Sequence, residues 1–246
     1  NSSAPAGVAT FTISAEGQKL VSIPFWAYHT SVSEMFSELN GSDTVETADF
    51  VAFWSAEAKD WLKAYKYLSP SEGDAKDNLF FLDFSSFTPA AIDITPGTAF
   101  YVYNRQLADI VIAITGRMVL EDSLTLELLQ GQNLIAYPYS APISLQDTTF
   151  AVSGATGAAS IGDNPDVLSL LDSSDQFWLH HDGLWRGTNS ELADVTLDTA
   201  AGFWFNSQSA FSWTEPVPYS TQFTGTADIT DIAAGELGAT LSISCQ

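Results

Sequence analysis

Basic residues are scarce in this chain of 246 residues, in which 8 lysines and arginines stand against 30 aspartates and glutamates, for a net charge of −22. Nucleic acid and anionic membrane surfaces would be repelled by such a charge, and no basic cluster offsets it. The sequence therefore argues against a nucleic-acid partner. It is typical of an acidic exterior in an extracellular or saline environment.

Cysteine is almost absent, since Cys245 is the only one. A disulfide framework within the chain is thereby excluded, and Cys245 is either an inert thiol or a cross-link between two copies. No stretch approaches the roughly 18 apolar residues that a spanning helix requires, so we expect no membrane insertion. A signal peptide is not visible, but the polar start over residues 1–7 is typical of an end left after cleavage, and equally of a trimmed chain. We expect an exported protein, extracellular or on the cell surface.

Residues that carry catalysis are few, with three histidines and no nucleotide-binding glycine loop or serine nucleophile motif. His180, His181 and Asp182 form the densest group of metal-ligand types. Adjacent residues of a strand point to opposite faces, and a closed zinc site needs four ligands, with His29 the one further histidine. We expect a hairpin turn at Asp182 and Gly183 instead. The sequence predicts no enzyme, no catalytic residue and no cofactor.

A structural calcium ion is an open alternative, because hard oxygen ligands are abundant. No complete Asp-x-Asp-x-Asp-Gly loop is present, and turn or capping roles explain the candidates equally well. Paired carboxylates could also serve a glycosidase, but the sequence singles out no pair. The calcium candidates are Asp163, Asp166, Asp228 and Asp231.

Apolar residues, by contrast, make up 46% of the chain and aromatic residues 13%, whereas charged residues make up only 15%. Disordered chains are poor in aromatic residues, so we expect a folded chain. So much apolar content indicates either a large core or a surface that a partner buries.

A repeated pattern organises the sequence. Residues 17–25 read Gly-Gln-x-Leu-aliphatic-small-x-Pro-aromatic, residues 131–139 repeat most of this pattern, and residues 238–244 are a weaker, truncated third copy. A glycine that permits a tight turn, an apolar run and a proline that ends pairing predict a buried strand.

Further markers recur in the same order. Phe53-Trp54-x6-Trp61 matches Phe177-Trp178-x6-Trp185, residues 100–104 match residues 202–206, and residues 114–116 match residues 223–225. We interpret the chain as an internal duplication with domains at residues 1–116 and 117–246, the second ending in the strand of the third copy. The markers that define the repeat are Gly17, Leu20, Pro24, Trp54, Trp61 and Asn104, and Gly131, Leu134, Pro138, Trp178, Trp185 and Asn206.

Short alternating segments bounded by turn residues predict an all-β fold of two tandem, related sandwich-like or barrel-like domains. One short helix is expected in each copy. The first lies over residues 31–39. The second begins at Asn164, with Pro165 at its first position and Asp166 in its first turn, and buries apolar residues from Val167 to Leu171. Residues 152–162 are expected to form a loop.

Two terminal strands are candidates for assembly. One carries Val8, Phe11 and Ile13, and the other carries Leu241 and Ile243. Such a strand could close the second domain within the chain or complete a sheet of a neighbouring subunit, and both alternatives stay open.

These motifs resemble a module of secreted and cell-surface proteins of environmental bacteria. In the second copy Thr199-Ala200 replaces the Pro-Gly of the module, so the turn there departs from the pattern. The resemblance implies an exported, noncatalytic β-module of surface structures, with no catalytic residues. It is carried by Gly131, Asn133, Leu134, Ile135 and Pro138, by Trp54 and Trp61, and by Pro96, Gly97, Ala99, Phe100, Tyr101 and Asn104.

The sequence thus predicts a structural subunit of an extracellular filament, sheath or surface layer, with copies of itself as partners, joined by head-to-tail packing or strand exchange. The alternative is a secreted carbohydrate-binding or adhesive module that acts as a monomer. Its candidate sugar platforms are Trp26, Trp204 and Trp213.

Overall fold

The computed structural model describes residues 6–29, 31–71, 73–171, 173 and 175–219. The first half contains β1 (Ala6–Ile13), β2 (Gln18–Ser22), β3 (Phe25–Ala27), α1 (Val32–Met35), β4 (Phe50–Ser55), β5 (Asp60–Lys66), β6 (Phe80–Phe81), β7 (Ala99–Tyr103) and β8 (Ile110–Met118). The second half contains β9 (Ser123–Leu128), β10 (Gly131–Ala136), β11 (Ile143–Ser144), α2 (Phe150–Ser153), β12 (Val167–Leu170), β13 (Gln176–Leu179), β14 (Trp185–Gly187), β15 (Thr196–Leu197), β16 (Gly202–Ser207) and β17 (Phe211–Pro216), with short 3-10 turns at Leu145–Asp147 and Ile161–Asp163. The predicted all-β class with short helices is confirmed. None of the helices in the described ranges is long and apolar enough to cross a membrane.

The first half folds into two antiparallel sheets that face each other. A five-stranded sheet has the order β2-β7-β4-β5-β6, and a three-stranded sheet has the order β1-β8-β3. Along β8, Ile110, Ile112 and Ile114 point into the core while Val111 is exposed, as expected for a strand with one buried face. Helix α1 covers one end of this core with Val32 and Met35.

The second half repeats this arrangement. Its five-stranded sheet has the order β10-β16-β12-β13-β14, and β9 pairs with β17 in a two-stranded sheet. In both five-stranded sheets, the first of the five strands in the chain lies at one edge and the last lies beside it. The second, third and fourth strands then follow in order. The pair β11–β15 is an addition of the second half. The shared topology supports the duplication, which stays a prediction.

A buried aspartate occupies the same place in both halves. In the first half Asp49, just before β4, is fully buried. Its carboxylate accepts the backbone N–H of Arg105 at 2.7 Å and that of Asn40 at 2.7 Å. The backbone N–H of Asp49 donates in return to the Asn40 carbonyl at 3.1 Å. This aspartate therefore ties the end of β7 to the segment that follows α1.

Asp166, just before β12, makes the corresponding contacts in the second half. Its carboxylate accepts the backbone N–H of Gln208 at 2.7 Å and that of Thr156 at 2.9 Å. The backbone N–H of Asp166 donates to the Thr156 carbonyl at 2.8 Å. The two halves thus agree in their hydrogen bonds as well as in strand order.

The predicted equivalence of the tryptophan pairs is wrong. Trp54 and Trp61 lie opposite each other on the β4–β5 hairpin, whereas Trp178 and Trp185 lie on the β13–β14 hairpin. By strand order, β4–β5 corresponds to β12–β13. Trp178 lies opposite Arg186 rather than Trp185, so these two tryptophans are on opposite faces of their hairpin, and the shared spacing does not identify the strand.

The match between Asn104 and Asn206 is also off by one residue. Asn104 is buried and donates its side-chain amide to the carbonyls of Ser14 and Ala108, at 3.0 and 2.7 Å, whereas Asn206 is exposed. The backbone N–H of Asn104 donates to the Gly17 carbonyl. The residue opposite Gly131 in the second half is Ser207.

The helix predicted from Asn164 onward is a strand instead. β12 is paired on both sides, with β13 and with β16, so tertiary pairing overrides the local helix-start signal. The carboxylate of Asp166 accepts hydrogen bonds from the backbone of distant segments rather than from the first turn of a helix. The short helix of the second half is α2, which begins at Phe150, before the predicted loop.

An aromatic junction joins the two five-stranded sheets. The ring of Trp204 lies 5.2 Å from that of Trp54 and 6.0 Å from that of Trp61, and Tyr101 packs against Trp61. Strand β8 continues through the predicted boundary at residues 116 and 117 to Met118, and residues 119–122 lead into β9. The two halves meet over a packed surface without a long linker.

Candidate functional site

A cleft of about 690 Å³ lies between β1 and β2 in the first half. These consecutive strands belong to different sheets, and each stands at the edge of its sheet. Phe11, Val21 and Phe25 supply apolar wall, and the turn over residues 198–201 borders the cleft from the second half. The cleft is therefore bounded by the free edges of two sheets.

The outer edge of β2 exposes main-chain groups. The N–H of Asn104 donates to the Gly17 carbonyl at 2.8 Å, which fixes the alternation of the β2–β7 ladder. The backbone groups of Gln18, Leu20 and Ser22 consequently turn away from β7. In the part of the chain that the structure describes, no backbone segment pairs with this side of β2.

The corresponding edge in the second half is covered. The N–H of Ala136 donates to the Gly97 carbonyl at 2.9 Å, and Thr98 forms a bridge with Ile135. Gly97 also sits so close to Leu126 that a Cβ would lie 2.6 Å from a methyl carbon of that side chain. The turn over residues 95–98 thus fills the space between β9 and β10.

The turn over residues 198–201, which borders the cleft beside β2, has the same hydrogen-bond pattern as the turn over residues 95–98 but a different sequence. Ala201 N–H donates to the Asp198 carbonyl at 3.1 Å, as Thr98 N–H donates to the Thr95 carbonyl at 3.0 Å. Ala200 has φ +65°, a left-handed conformation that disfavours residues other than glycine. No backbone hydrogen bond from residues 198–201 to β2 is found within the described ranges.

The remaining edges of the five-stranded sheets are covered by their own loops. Beyond β6, Ala90 N–H donates to the Phe80 carbonyl at 3.0 Å. Beyond β14, Gly187 N–H donates to the Glu191 carbonyl at 2.9 Å. Among the described residues, β2 is thus the one outer edge of these two sheets that stays unpaired along its length.

The polar groups of the cleft suit main-chain recognition. The hydroxyl of Ser22 is buried and lacks a hydrogen-bond partner among the described residues. Lys19 and Asp198 are the ionisable side chains among those that line the cleft in the described chain. Exposed N–H and C=O groups on an apolar wall can bind an extended chain by adding a strand to the sheet.

The strand of Val8, Phe11 and Ile13 is paired within its own half. Phe11 and Ile13 are buried in the first core, and all of β1 pairs with β8. Val8 is 65% exposed. Leu241 and Ile243, the other predicted assembly positions, lie outside the described residues, as do Cys245 and the third copy.

The structure does not bring the calcium candidates together. Asp166 is buried, and desolvation raises the pKa of its carboxyl group, while backbone donors partly oppose that rise. Asp163 is exposed and accepts the hydroxyl of Ser160 at 2.8 Å. Asp228 and Asp231 lie outside the described residues. Within the described ranges, no group of three or more His, Cys, Asp or Glu side chains is placed to hold a metal ion.

The two adjacent histidines do not point to opposite faces, because the strand ends before them. The rings of His180 and His181 lie 4.0 Å apart, and His180 Nδ1 is 2.8 Å from an oxygen of Asp182. The N–H of Leu184, together with His180 and Arg186, holds the pKa of the Asp182 carboxyl group well below its usual range. This group forms the turn of the β13–β14 hairpin, as the sequence predicted.

The candidate sugar platforms are engaged within the chain. Trp213 is fully buried and stacks on Phe150 with ring centroids 4.0 Å apart. Trp204 belongs to the aromatic junction. Trp26 is half-buried and donates its indole N–H to Glu121 at 3.3 Å. The expectation that Trp213 offers an exposed face is wrong, because the inward side of β17 carries it into the core.

Glu215 is a buried glutamate that the sequence patterns did not identify. Glu215 is 1% exposed, and one of its carboxylate oxygens accepts the hydroxyl of Thr149 at 2.6 Å and the indole N–H of Trp213 at 2.9 Å. Burial raises the pKa of Glu215. The hydroxyl of Tyr137 is buried without a partner among the described residues, and burial, with the nearby Glu215 charge, raises its pKa strongly. The period of two that places Trp213 inward also places Glu215 inward, and this signal could have found it.

Comparison of the chain with models of known protein families, with curated proteins and with solved structures gave no match.

Proposed function

We propose that the protein is a noncatalytic structural subunit of an extracellular assembly, a filament, sheath or surface layer, built from copies of this chain. The observation that carries the proposal is the unpaired edge of β2 beside an apolar cleft. An exposed edge strand is a template for pairing with another chain, and the other outer edges of the five-stranded sheets are covered.

Head-to-tail packing is the form of assembly proposed, in which the first half of one copy contacts the second half of the next. Seven of the eight lysines and arginines precede residue 119, and Arg186 is the remaining one, whereas acidic residues are spread along the whole chain. Both halves are acidic, so the proposed contact rests on main-chain pairing and apolar surface rather than on charge attraction. When each copy contacts the next through two different surfaces, the copies form a filament unless the rotation between neighbours closes them into a ring.

A monomeric sugar-binding module is the weaker candidate, since two of its three tryptophans are taken up in the core and the junction and the third is half-buried. An exported β-module of bacterial surface structures, which the motifs resemble, agrees with self-assembly. Surface localisation is part of the same proposal.

The native mass tests this proposal. Light scattering over a dilution series, with negative-stain images beside it, is expected to show particles far above the 26.5 kDa of one chain. A monomer at every concentration would exclude the structural role. A glycan array would then be the next experiment.

A further inference from the structure

We infer that the open edge of β2 is the docking site for residues 238–244 of a second copy, which enter the cleft as a sixth strand of the five-stranded sheet. The inference rests on the function proposed above, because it names the segment that links one subunit to the next.

The sequence of this segment suits an added strand. Residues 238–244 read Gly-Ala-Thr-Leu-Ser-Ile-Ser, with no proline and no charge. In an extended chain Ala239, Leu241 and Ile243 lie on one face, while threonine and serine residues alternate with them on the other. The segment thus has one apolar face and one small polar face.

The cleft offers the complementary surface. Phe11, Val21 and Phe25 form its apolar wall, which the face of Leu241 and Ile243 would cover. The outward backbone groups of β2 would pair with those of the added strand. The buried hydroxyl of Ser22 lies among these lining groups and would gain a partner.

The second half shows that such a cleft accepts main chain. There the turn over residues 95–98 reaches β10 through the bond from Ala136 N–H to the Gly97 carbonyl. The first cleft receives no such bond from residues 198–201 within the described chain. A segment from outside the described residues is therefore the matching occupant.

The outer edge of β17 is a poorer acceptor for the same segment. On the side of β17 that faces away from β9, Thr214 N–H donates to the Ser153 hydroxyl at 3.2 Å, and the Thr149 hydroxyl oxygen lies 2.6 Å from the Thr214 carbonyl oxygen. These side chains occupy the groups that an added strand would need. Charge does not oppose docking, since residues 238–244 are uncharged and the lining of the cleft holds one side chain of each sign, Lys19 and Asp198.

A pair of double variants tests the inference in the full chain. Leu241→Asp with Ile243→Asp places two charges on the face that would enter the cleft. Thr240→Asp with Ser242→Asp places the same two charges on the opposite face of the same segment, as a matched control. The native mass of each variant is measured by light scattering, and the fold by circular dichroism.

The first variant is expected to fall to the 26.5 kDa of one chain with an unchanged spectrum, whereas the control keeps the mass of the assembly. If the wild type is assembled and both variants stay assembled, or both dissociate alike, the docking of residues 238–244 is overturned while the structural role stands. If the wild type is itself a monomer, both proposals are overturned.

A cross-linking experiment identifies the donor of the strand. Lys19→Cys and Ser140→Cys place a thiol at two positions that line the cleft, and a short bismaleimide can join either to Cys245. Covalent dimers and higher ladders are expected from one of the two, but not from Val152→Cys on α2 or when Cys245 is replaced by serine. A cross-link confined to the monomer would show closure within one chain, and yields no higher than that of Val152→Cys would show no docking; both overturn the inference.

Discussion

At the scale of single residues, the two halves share one buried aspartate, and the second half has a buried glutamate in addition. Asp49 and Asp166 each tie together two backbone segments. Glu215, in contrast, occurs in the second half only, on a strand whose inward neighbours are aromatic. Its hydroxyl and indole donors reduce the penalty of burial without removing it, which is why its pKa rises.

Glu215→Gln is expected to stabilise the protein near neutral pH. A carboxyl group whose pKa is raised by folding binds protons more tightly in the folded state, so its contribution to stability falls as pH rises above its unfolded value of about 4.3. Glutamine retains an acceptor for Thr149 and Trp213 and carries no charge. We expect a gain on the order of 1 kcal/mol in the free energy of unfolding at about pH 7 that shrinks toward about pH 4.

Urea unfolding at both pH values measures the difference, with the exposed Glu127→Gln as control for the change in net charge. An equal effect of Glu215→Gln at the two pH values would contradict this account of the buried carboxylate.

Asp166→Asn tests the backbone tie. Asparagine offers one acceptor oxygen where Asp166 uses two, so the N–H of either Thr156 or Gln208 loses its partner in the interior. The expected loss is about 1–3 kcal/mol in the free energy of unfolding, and Asp49→Asn should lose a similar amount. Losses that differ severalfold between the two positions would argue against their equivalence.

At the scale of elements, turns decide which edges are covered. The turn over residues 95–98 has proline and glycine and enters the space beside β10. The turn over residues 198–201 holds Ala200 at φ +65° and leaves β2 unpaired in the described chain. The two turns therefore share a positive φ at the same position and differ in sequence, with Pro96-Gly97 in one and Thr199-Ala200 in the other.

Ala200→Gly is expected to stabilise the fold by about 0.5–1 kcal/mol, since relief of the left-handed strain exceeds the entropy that glycine adds to the unfolded chain. Ala201→Gly, at a position without positive φ, should destabilise instead. Thermal unfolding of the two variants beside the wild type gives the sign. A lower melting temperature for Ala200→Gly would contradict the strain assigned to this turn.

Strand identity could be predicted from the sequence wherever the pattern was local. The apolar, β-branched segments over residues 8–14 and 110–115 and the glycine–proline boundaries of β2 and β10 predict strands where the structure has them, and α1 lies within the helix predicted over residues 31–39. Strand β12 was missed because Pro165 and Asp166 carry a helix-start signal while their actual partners are distant in sequence. The tryptophan pairs were assigned to the wrong hairpin because spacing contains no information about sheet order.

The cleft beside β2 could not be predicted from the sequence. Nothing in residues 17–22 or 131–136 says that one edge is covered and the other open, because coverage depends on turns elsewhere in the chain. The turn over residues 95–98 reaches β10, and the turn over residues 198–201 borders β2. The sequence does show that Thr199-Ala200 stands where the first copy has Pro96-Gly97. This replacement lies in the turn that makes no backbone hydrogen bond to β2 among the described residues.

At the scale of the whole molecule, the aromatic junction packs the two β-sandwiches against each other. Trp204→Ala is expected to cost about 2–4 kcal/mol and to separate the thermal unfolding of the halves into two transitions. Calorimetry measures this directly, and Tyr65→Ala, at a half-buried aromatic position of the first half's five-stranded sheet away from the junction, is the control. A single sharp transition in Trp204→Ala would show that the junction does not couple the halves.

Assembly through the open edge of β2 is the central proposal. Gln18→Pro removes one backbone N–H that points away from β7 and leaves the β2–β7 ladder in place, while Gln18→Ala removes the same side chain and keeps the N–H. The measurement is the native mass of the two variants by light scattering. Gln18→Pro is expected to shorten or dissolve the assembly, and Gln18→Ala is expected to leave it intact; assemblies of equal size in both would contradict assembly through this edge.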